Sequence, residues 1–178
     1  MVEIRFEVDT PLSPQQVRAA ATDFSERRPQ VWSGIDPERF TVHALGDTTA
    51  EVTEGGREFG GIWARERYDW SDPDLVVARV PDSNIFGPGS RWELRVRPGP
   101  DGGSRVEWAS LRQPSSLKGR LVVRVLRVAG RPLLRGYLRK TLANQENQTA
   151  CANSMAAGGD DRRPARNWRW ASRTWWPD

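Results

Sequence analysis

Apolar and polar residues alternate at the start of the chain, with Val2, Ile4, Phe6 and Val8 set against Glu3, Arg5, Glu7 and Asp9. A period of two puts each set on its own face, which predicts a half-buried strand of antiparallel character. Thr10-Pro11 ends it. Ser13 followed by Pro14 is helix-start chemistry and predicts a helix over 14–23. A second short helix or turn is expected over 24–32, with Val17, Ala20, Ala21 and Phe24 inward. From Arg39 the period of two returns. Strands are expected over 39–44 and 50–52, over 62–70 with Ile62, Ala64, Glu66, Tyr68 and Trp70 on one face, and over 75–80. Two more follow: 91–97 with Trp92, Leu94 and Val96 inward, and a last strand whose inward set is Val106, Trp108 and Ser110. Gly- and Pro-rich turns separate them, and 98–103 reads as a hairpin turn.

The period then changes to three or four. Leu117, Leu121, Val125, Val128, Leu133, Tyr137 and Thr141 share one face of a helix over 117–143, and Arg120, Arg124, Arg127, Arg131, Arg135 and Arg139 share another. Pro132 removes a backbone donor and is expected to bend this helix near Val128. The order is therefore one strand, two short helices, six strands and one long helix. Tight turns between successive strands imply an antiparallel meander, and the apolar stripe of the long helix needs the face of that sheet to cover it. The fold class is α+β.

Composition narrows this only a little. A chain of 178 residues suffices for one domain and its core, and 37% hydrophobic with 28% charged residues suits a soluble chain carrying some non-core sequence. The formal charge of +4 permits contact with anionic membrane or nucleic acid without demanding it. Cys151 is the single cysteine, so no intrachain disulfide forms, and a reducing, cytoplasmic setting is the default. The alternation at residues 1–9 is not a signal peptide, and no apolar run is long enough to span a bilayer.

After Glu146 periodicity stops. Residues 147–178 end in Arg162, Arg163, Arg166, Arg169 and Arg173 interleaved with Trp168, Trp170, Trp175 and Trp176. Trp and Arg together suit a membrane interface, or base stacking with phosphate contact. The plainer expectation is a disordered extension without a selected role, and out-of-frame coding sequence would have the same texture. The domain is thus expected over 1–146.

The opening Val-Glu-Ile-Arg-Phe-Glu-Val strand with its Ser-Pro-capped helix, the Pro-Gly-Ser-Arg-Trp-Glu-Leu strand at 88–94, the Gly-Gly-Ser-Arg-Val-Glu-Trp strand at 102–108 and the Leu-Lys-Gly-Arg-Leu helix start at 117–121 carry a resemblance. Over residues 1–146 the chain resembles the helix-grip superfamily: START domains, the birch-pollen allergen and polyketide cyclase/dehydrase-like proteins. The resemblance implies a seven-stranded antiparallel sheet wrapped around the long C-terminal helix, with a hydrophobic cavity between them. Such cavities hold lipids, polyketides or sterols, and family members range from binders to cyclases and hydrolases, so the fold does not choose the function. Pro132 and the Trp/Arg tail depart from the pattern.

No phosphate loop, metal-ligand spacing or nucleophile elbow is present, and no cofactor or metal is expected. His43 shares strand parity with Arg39 and Thr41, away from the core, and Cys151 lies in the tail. Glu66 is the informative residue. Its parity is inward, where a carboxylate must be paired or hydrogen-bonded and where its pKa would tend to rise. It is either an acid–base group or the partner of an arginine such as Arg79. Tyr68 would orient a ligand carbonyl or simply edge the core. The expected cavity lining is drawn from Trp32, Phe40, Trp63, Glu66, Tyr68, Trp70, Trp92, Leu94, Trp108, Leu121 and Val125. The leading expectation is binding of a small hydrophobic molecule. The alternatives are a cyclase or dehydratase using Glu66 and Tyr68, and a membrane-associated protein using the arginine stripe and tail. The stripe is first a solvated face, then an anionic-lipid surface, and least a nucleic-acid contact.

Overall fold

The structure is a computed structural model that describes residues 1–57 and 61–157, the last three as backbone only. The chain runs β1 (Val2–Thr10), α1 (Pro14–Thr22), α2 (Arg28–Val31), β2 (Thr41–Leu45), β3 (Thr49–Gly56), β4 (Ile62–Asp69), β5 (Leu75–Ser83), β6 (Arg91–Pro98), β7 (Ser104–Arg112) and α3 (Leu117–Ala157). The strands form a seven-stranded sheet in the order β1-β7-β6-β5-β4-β3-β2, antiparallel throughout. Meander and closing strand together are the helix-grip α+β architecture that the alternation and the resemblance imply.

Local chemistry accounts for the element starts. Ser13 caps α1 in a capping box, its hydroxyl accepting from the Gln16 N–H while the Gln16 side chain accepts from the Ser13 N–H. Removing such a cap costs ~1 kcal/mol. Arg18 then ties α1 to the turn after β4 by donating to the carbonyls of Trp70, Asp72 and Pro73. The β6–β7 hairpin turns on Asp101 and Gly102, both at positive φ, a region open to Gly and tolerated by Asp.

The inner face of the sheet is built from Val2, Ile4, Phe6 and Val8 of β1, Ala50 and Val52 of β3, Tyr68 of β4, Val76 and Ala78 of β5, and Trp92, Leu94, Val106 and Trp108 of β6 and β7, all buried. β2 is different: all five of its residues are exposed at the far edge of the sheet.

Two features of α3 differ from expectation. It continues past 143 to Ala157, with Pro132 inside the helix. Thr10 donates to Glu146, Arg27 to Gln148, and the Asn144 amide to the carbonyls of Gln30 and Val31, so the later turns are anchored by polar contacts that leave no periodic apolar trace. The tail expected from 147 thus starts as helix, and its Trp/Arg-rich part, 162–178, lies outside the described residues. The second difference is rotational. In the first half of α3 the core-facing residues are Val122, Val123 and Leu126, while Leu117, Leu121 and Val128 are 80%, 63% and 88% exposed and Val125 is also exposed. Gly119 and Gly130 lie where the helix meets the backbone of Ile85 and the side chain of Ile4. A Cβ at either position would collide, so the glycines mark the packed face. Farther along, Leu138, Thr141 and Leu142 are buried.

Candidate functional site

Strand parity brings Glu66 and Tyr68 of β4 to the inner face, 6% and 2% exposed. Trp92 arrives there from β6. Glu66 Oε2 accepts from the Tyr68 hydroxyl at 2.8 Å and from Trp92 Nε1 at 3.1 Å. Arg79, the partner expected for Glu66, is exposed on the opposite face of β5. The arginine that closes this network is Arg28 of α2, only 1% exposed. Its Nε meets Glu54 Oε1 at 2.5 Å, its Nη2 donates to the Tyr68 hydroxyl at 2.9 Å, and its Nη1 donates to the carbonyls of Ala21 and Asp23. The guanidinium is boxed by the rings of Phe24, Trp32 and Tyr68, with centroids 4.4, 5.4 and 5.1 Å from its central carbon.

Charge states follow from this packing. Burial alone would lower the Arg28 pKa, but the Glu54 carboxylate holds it above its ordinary value, so the cation is permanent. Burial raises the Glu54 carboxyl and nearby Glu66 adds to that, against the opposing pull of Arg28. Burial also pushes the Tyr68 phenol well up, with both carboxylates helping, so Tyr68 acts as a neutral hydrogen-bond donor.

On β7 the inner face has another polar set. Trp108, Ser110 and Arg112 occupy successive inward positions. Trp108 Nε1, Ser110 Oγ and Arg112 Nη1 are all sealed from solvent and find no hydrogen-bond partner among the described residues, and the same holds for Thr141 Oγ1 on α3. Arg112 lies over the Phe86 ring at 4.8 Å, and burial lowers its pKa against the opposing influence of Glu66 and Tyr68. A buried polar atom without a partner costs about 1–3 kcal/mol, so these four groups are a standing demand for acceptors.

Between the two polar regions runs a ladder of rings. Phe6 stacks on Trp108 at 6.2 Å, Trp108 on Trp92 at 4.7 Å with planes 7° apart, and Trp92 meets Trp32, which meets Tyr137 of α3.

Of the expected lining, Trp32, Glu66, Tyr68, Trp70, Trp92, Leu94 and Trp108 are brought together in the interior, and Phe40 is half-buried against it. Trp63 is not: its place in β4 has the opposite parity, and its backbone is engaged by Asn84 and Ser83. Leu121 and Val125 point to solvent from α3. Arg28, Glu54 and Arg112 were missed. For Glu54 and Arg112 the signal existed, since each is one alternation step beyond Val52 and Ser110. A groove of about 680 Å³ is lined by Glu7, Glu93, Arg95 and Glu107 of the strands, by Phe6 and Trp108, and by Arg131 and Arg135 of α3. It reaches Trp108 of the unpartnered β7 row but not Ser110 or Arg112. Among the described residues no group of side chains is arranged to hold a metal ion, and no helix is long and apolar enough to cross a membrane.

A curved antiparallel sheet closed by a long helix over buried polar groups is the plan of a START-like, helix-grip protein. The family described as polyketide cyclase/dehydrase and lipid transport matches residues 1–148, and the chain belongs to it. Among curated proteins none shows significant similarity to the chain. Similar solved structures include a protein of Thermus thermophilus, with 16% identity, TM-score 0.68, and coverage of 83% of this chain and 99% of that one. Others are a START superfamily protein from Mycobacterium smegmatis, at 11% identity, 83% and 98% coverage and TM-score 0.62, and the Zhui aromatase/cyclase from Streptomyces sp. R1128, at 12% identity, 83% and 95% coverage and TM-score 0.62. At these identities the likeness is one of fold.

Proposed function

We propose that the protein binds a small, largely apolar molecule bearing oxygen acceptors between the inner face of β6–β7 and α3. The observation that carries this is the row of unpartnered donors at Trp108, Ser110 and Arg112. Flat indole faces beside that row suit a planar or acyl body, whose burial would provide most of the affinity. Membership of a polyketide cyclase/dehydrase and lipid-transport family supports the same ligand class. The test is titration of the full chain with anilinonaphthalene sulfonate, an aromatic probe whose sulfonate supplies acceptors. Saturable binding that weakens at least tenfold in Arg112→Leu, the order expected for a lost charged hydrogen bond, is the expected result. An absence of binding, or equal binding by the variant, would overturn the reading. Organic extraction of the purified protein followed by mass spectrometry would name a natural ligand class.

A second reading, a cyclase or dehydratase, draws on the shared hydroxyl of Tyr68, which lies 2.8 Å from Glu66 and 3.2 Å from Glu54. Glu66 would move the proton and Tyr68 would donate to a developing enolate. Glu66→Gln should then abolish turnover of a polyketide-like substrate while sparing binding. Binding is preferred because Glu66 Oε2 already accepts from two donors and would have to release one to act.

A further inference from the structure

The first half of α3 is apolar on two sides. At about 100° per residue, buried Val122, Val123 and Gly130 and half-buried Leu126 occupy one side of the helix. Leu117, Leu121, Val125 and Val128 fall within an arc of roughly 80° on the other side, and all four are exposed. Four isolated exposed apolar side chains would need no explanation, but an aligned row on a helix already packed by its other side does. Arg120, Arg124, Arg127 and Arg131, all exposed, form the adjoining arc, and among the described residues none of them is in an ion pair. From 117 to 145 the chain has eight Lys and Arg and no Asp or Glu.

We infer that this face of α3 docks on an anionic lipid bilayer, with the Leu/Val row entering the headgroup boundary and the arginines pairing with lipid phosphates. The charge decides among occupants. A second copy of the chain would bring the same cations and no carboxylate from this segment to meet them. A nucleic acid would engage the arginines and leave the Leu/Val row in water. An anionic bilayer satisfies both rows at once. The helix that closes the candidate ligand site would then also face the lipid phase, although the docking surface does not depend on that site.

The experiment is co-sedimentation of the full chain with vesicles of phosphatidylcholine alone and of equal parts phosphatidylcholine and phosphatidylglycerol. Binding to the anionic vesicles is expected, weakened by salt. Each Arg→Gln change at 120, 124 or 127 should lower partitioning about fivefold, the equivalent of ~1 kcal/mol per cation at the surface. Leu121→Gln with Val128→Gln should lower it on the order of tenfold. Both sets of positions are solvent-exposed, and circular dichroism of each variant verifies the fold. Wild-type partitioning by both variants would overturn the assignment and move any lipid contact to the region beyond 146. A dimer in light scattering that Leu121→Gln/Val128→Gln dissociates, or duplex-DNA binding lost with the arginines but indifferent to Leu121 and Val128, would overturn it in favour of those partners.

Discussion

Two polar regions occupy the inner face of the sheet. In the cluster of Arg28, Glu54, Tyr68, Glu66 and Trp92, each charged group is met by an opposite charge or by hydrogen-bond donors. Along β7, Trp108, Ser110 and Arg112 present polar atoms that find no hydrogen-bond partner among the described residues. The carboxylates draw the eye first, because buried charge usually marks chemistry. Their matching argues otherwise. A group that must break existing bonds to serve a ligand starts at a disadvantage, whereas an unpartnered buried donor gains by the same encounter. The paired cluster reads as scaffold, and the unpaired row is where the proposed ligand would gain most.

The contrast can be broken by substitution. Arg28→Met leaves Glu54 buried without its cation, and urea unfolding should register a loss of about 3–5 kcal/mol; a loss under ~1 kcal/mol would mean the pair is not structural. Tyr68→Phe removes a donor to Glu66 and an acceptor for Arg28, and should cost about 1–3 kcal/mol in the same assay. Arg112→Leu should behave oppositely. It removes a buried group with an unmet donor, so stability should hold or rise by up to ~1 kcal/mol while probe affinity falls. Destabilisation comparable to Tyr68→Phe would show that the β7 row holds the fold together just as the cluster does.

The smallest expected effect is in pH dependence. Glu54 has its pKa raised by burial above the ordinary 4.5. The folded state therefore binds its proton more tightly, and this group's contribution to stability falls as pH rises from about 4.5 towards the raised value. The carboxylates of Asp9, Asp36 and Asp69 are held below their ordinary value, the first two mainly by hydrogen bonds from Arg105 and Arg57 and Asp69 by Ser71. Their contributions are lost only as pH falls below that value. Glu54→Gln should flatten the decline above pH 4.5 and leave the acid limb unchanged. An unaltered decline would assign it to another group.

Alternation was enough to read the meander and the inward turn of Glu66 and Tyr68, because one buried face forces a period of two, and the Ser13-Pro14 start marked the first short helix. The facing of α3 was not legible from periodicity. Leu117, Leu121, Val125 and Val128 obey the helical period as well as Val122, Val123 and Leu126 do, and a helix apolar on two sides gives no preference between them. Gly119, where a Cβ would run into the Ile85 carbonyl, and Gly130, which abuts the end of the Ile4 side chain, were the discriminating residues. Arg28 left no trace either. It sits in a four-residue helix, boxed by Phe24 and Trp32, four residues to either side, and by the distant Tyr68 of β4. Glu54 and Arg112 needed only one more step of an alternation already in view.

The stacked indoles of Trp92 and Trp108 also have an optical consequence. Two chromophores 4.7 Å apart and nearly parallel do not absorb independently. Their strong ultraviolet transitions couple, to an extent set by the in-plane angle between the two rings. A molecule sliding between or against them would change that coupling, so the protein carries its own unlabelled reporter of occupancy.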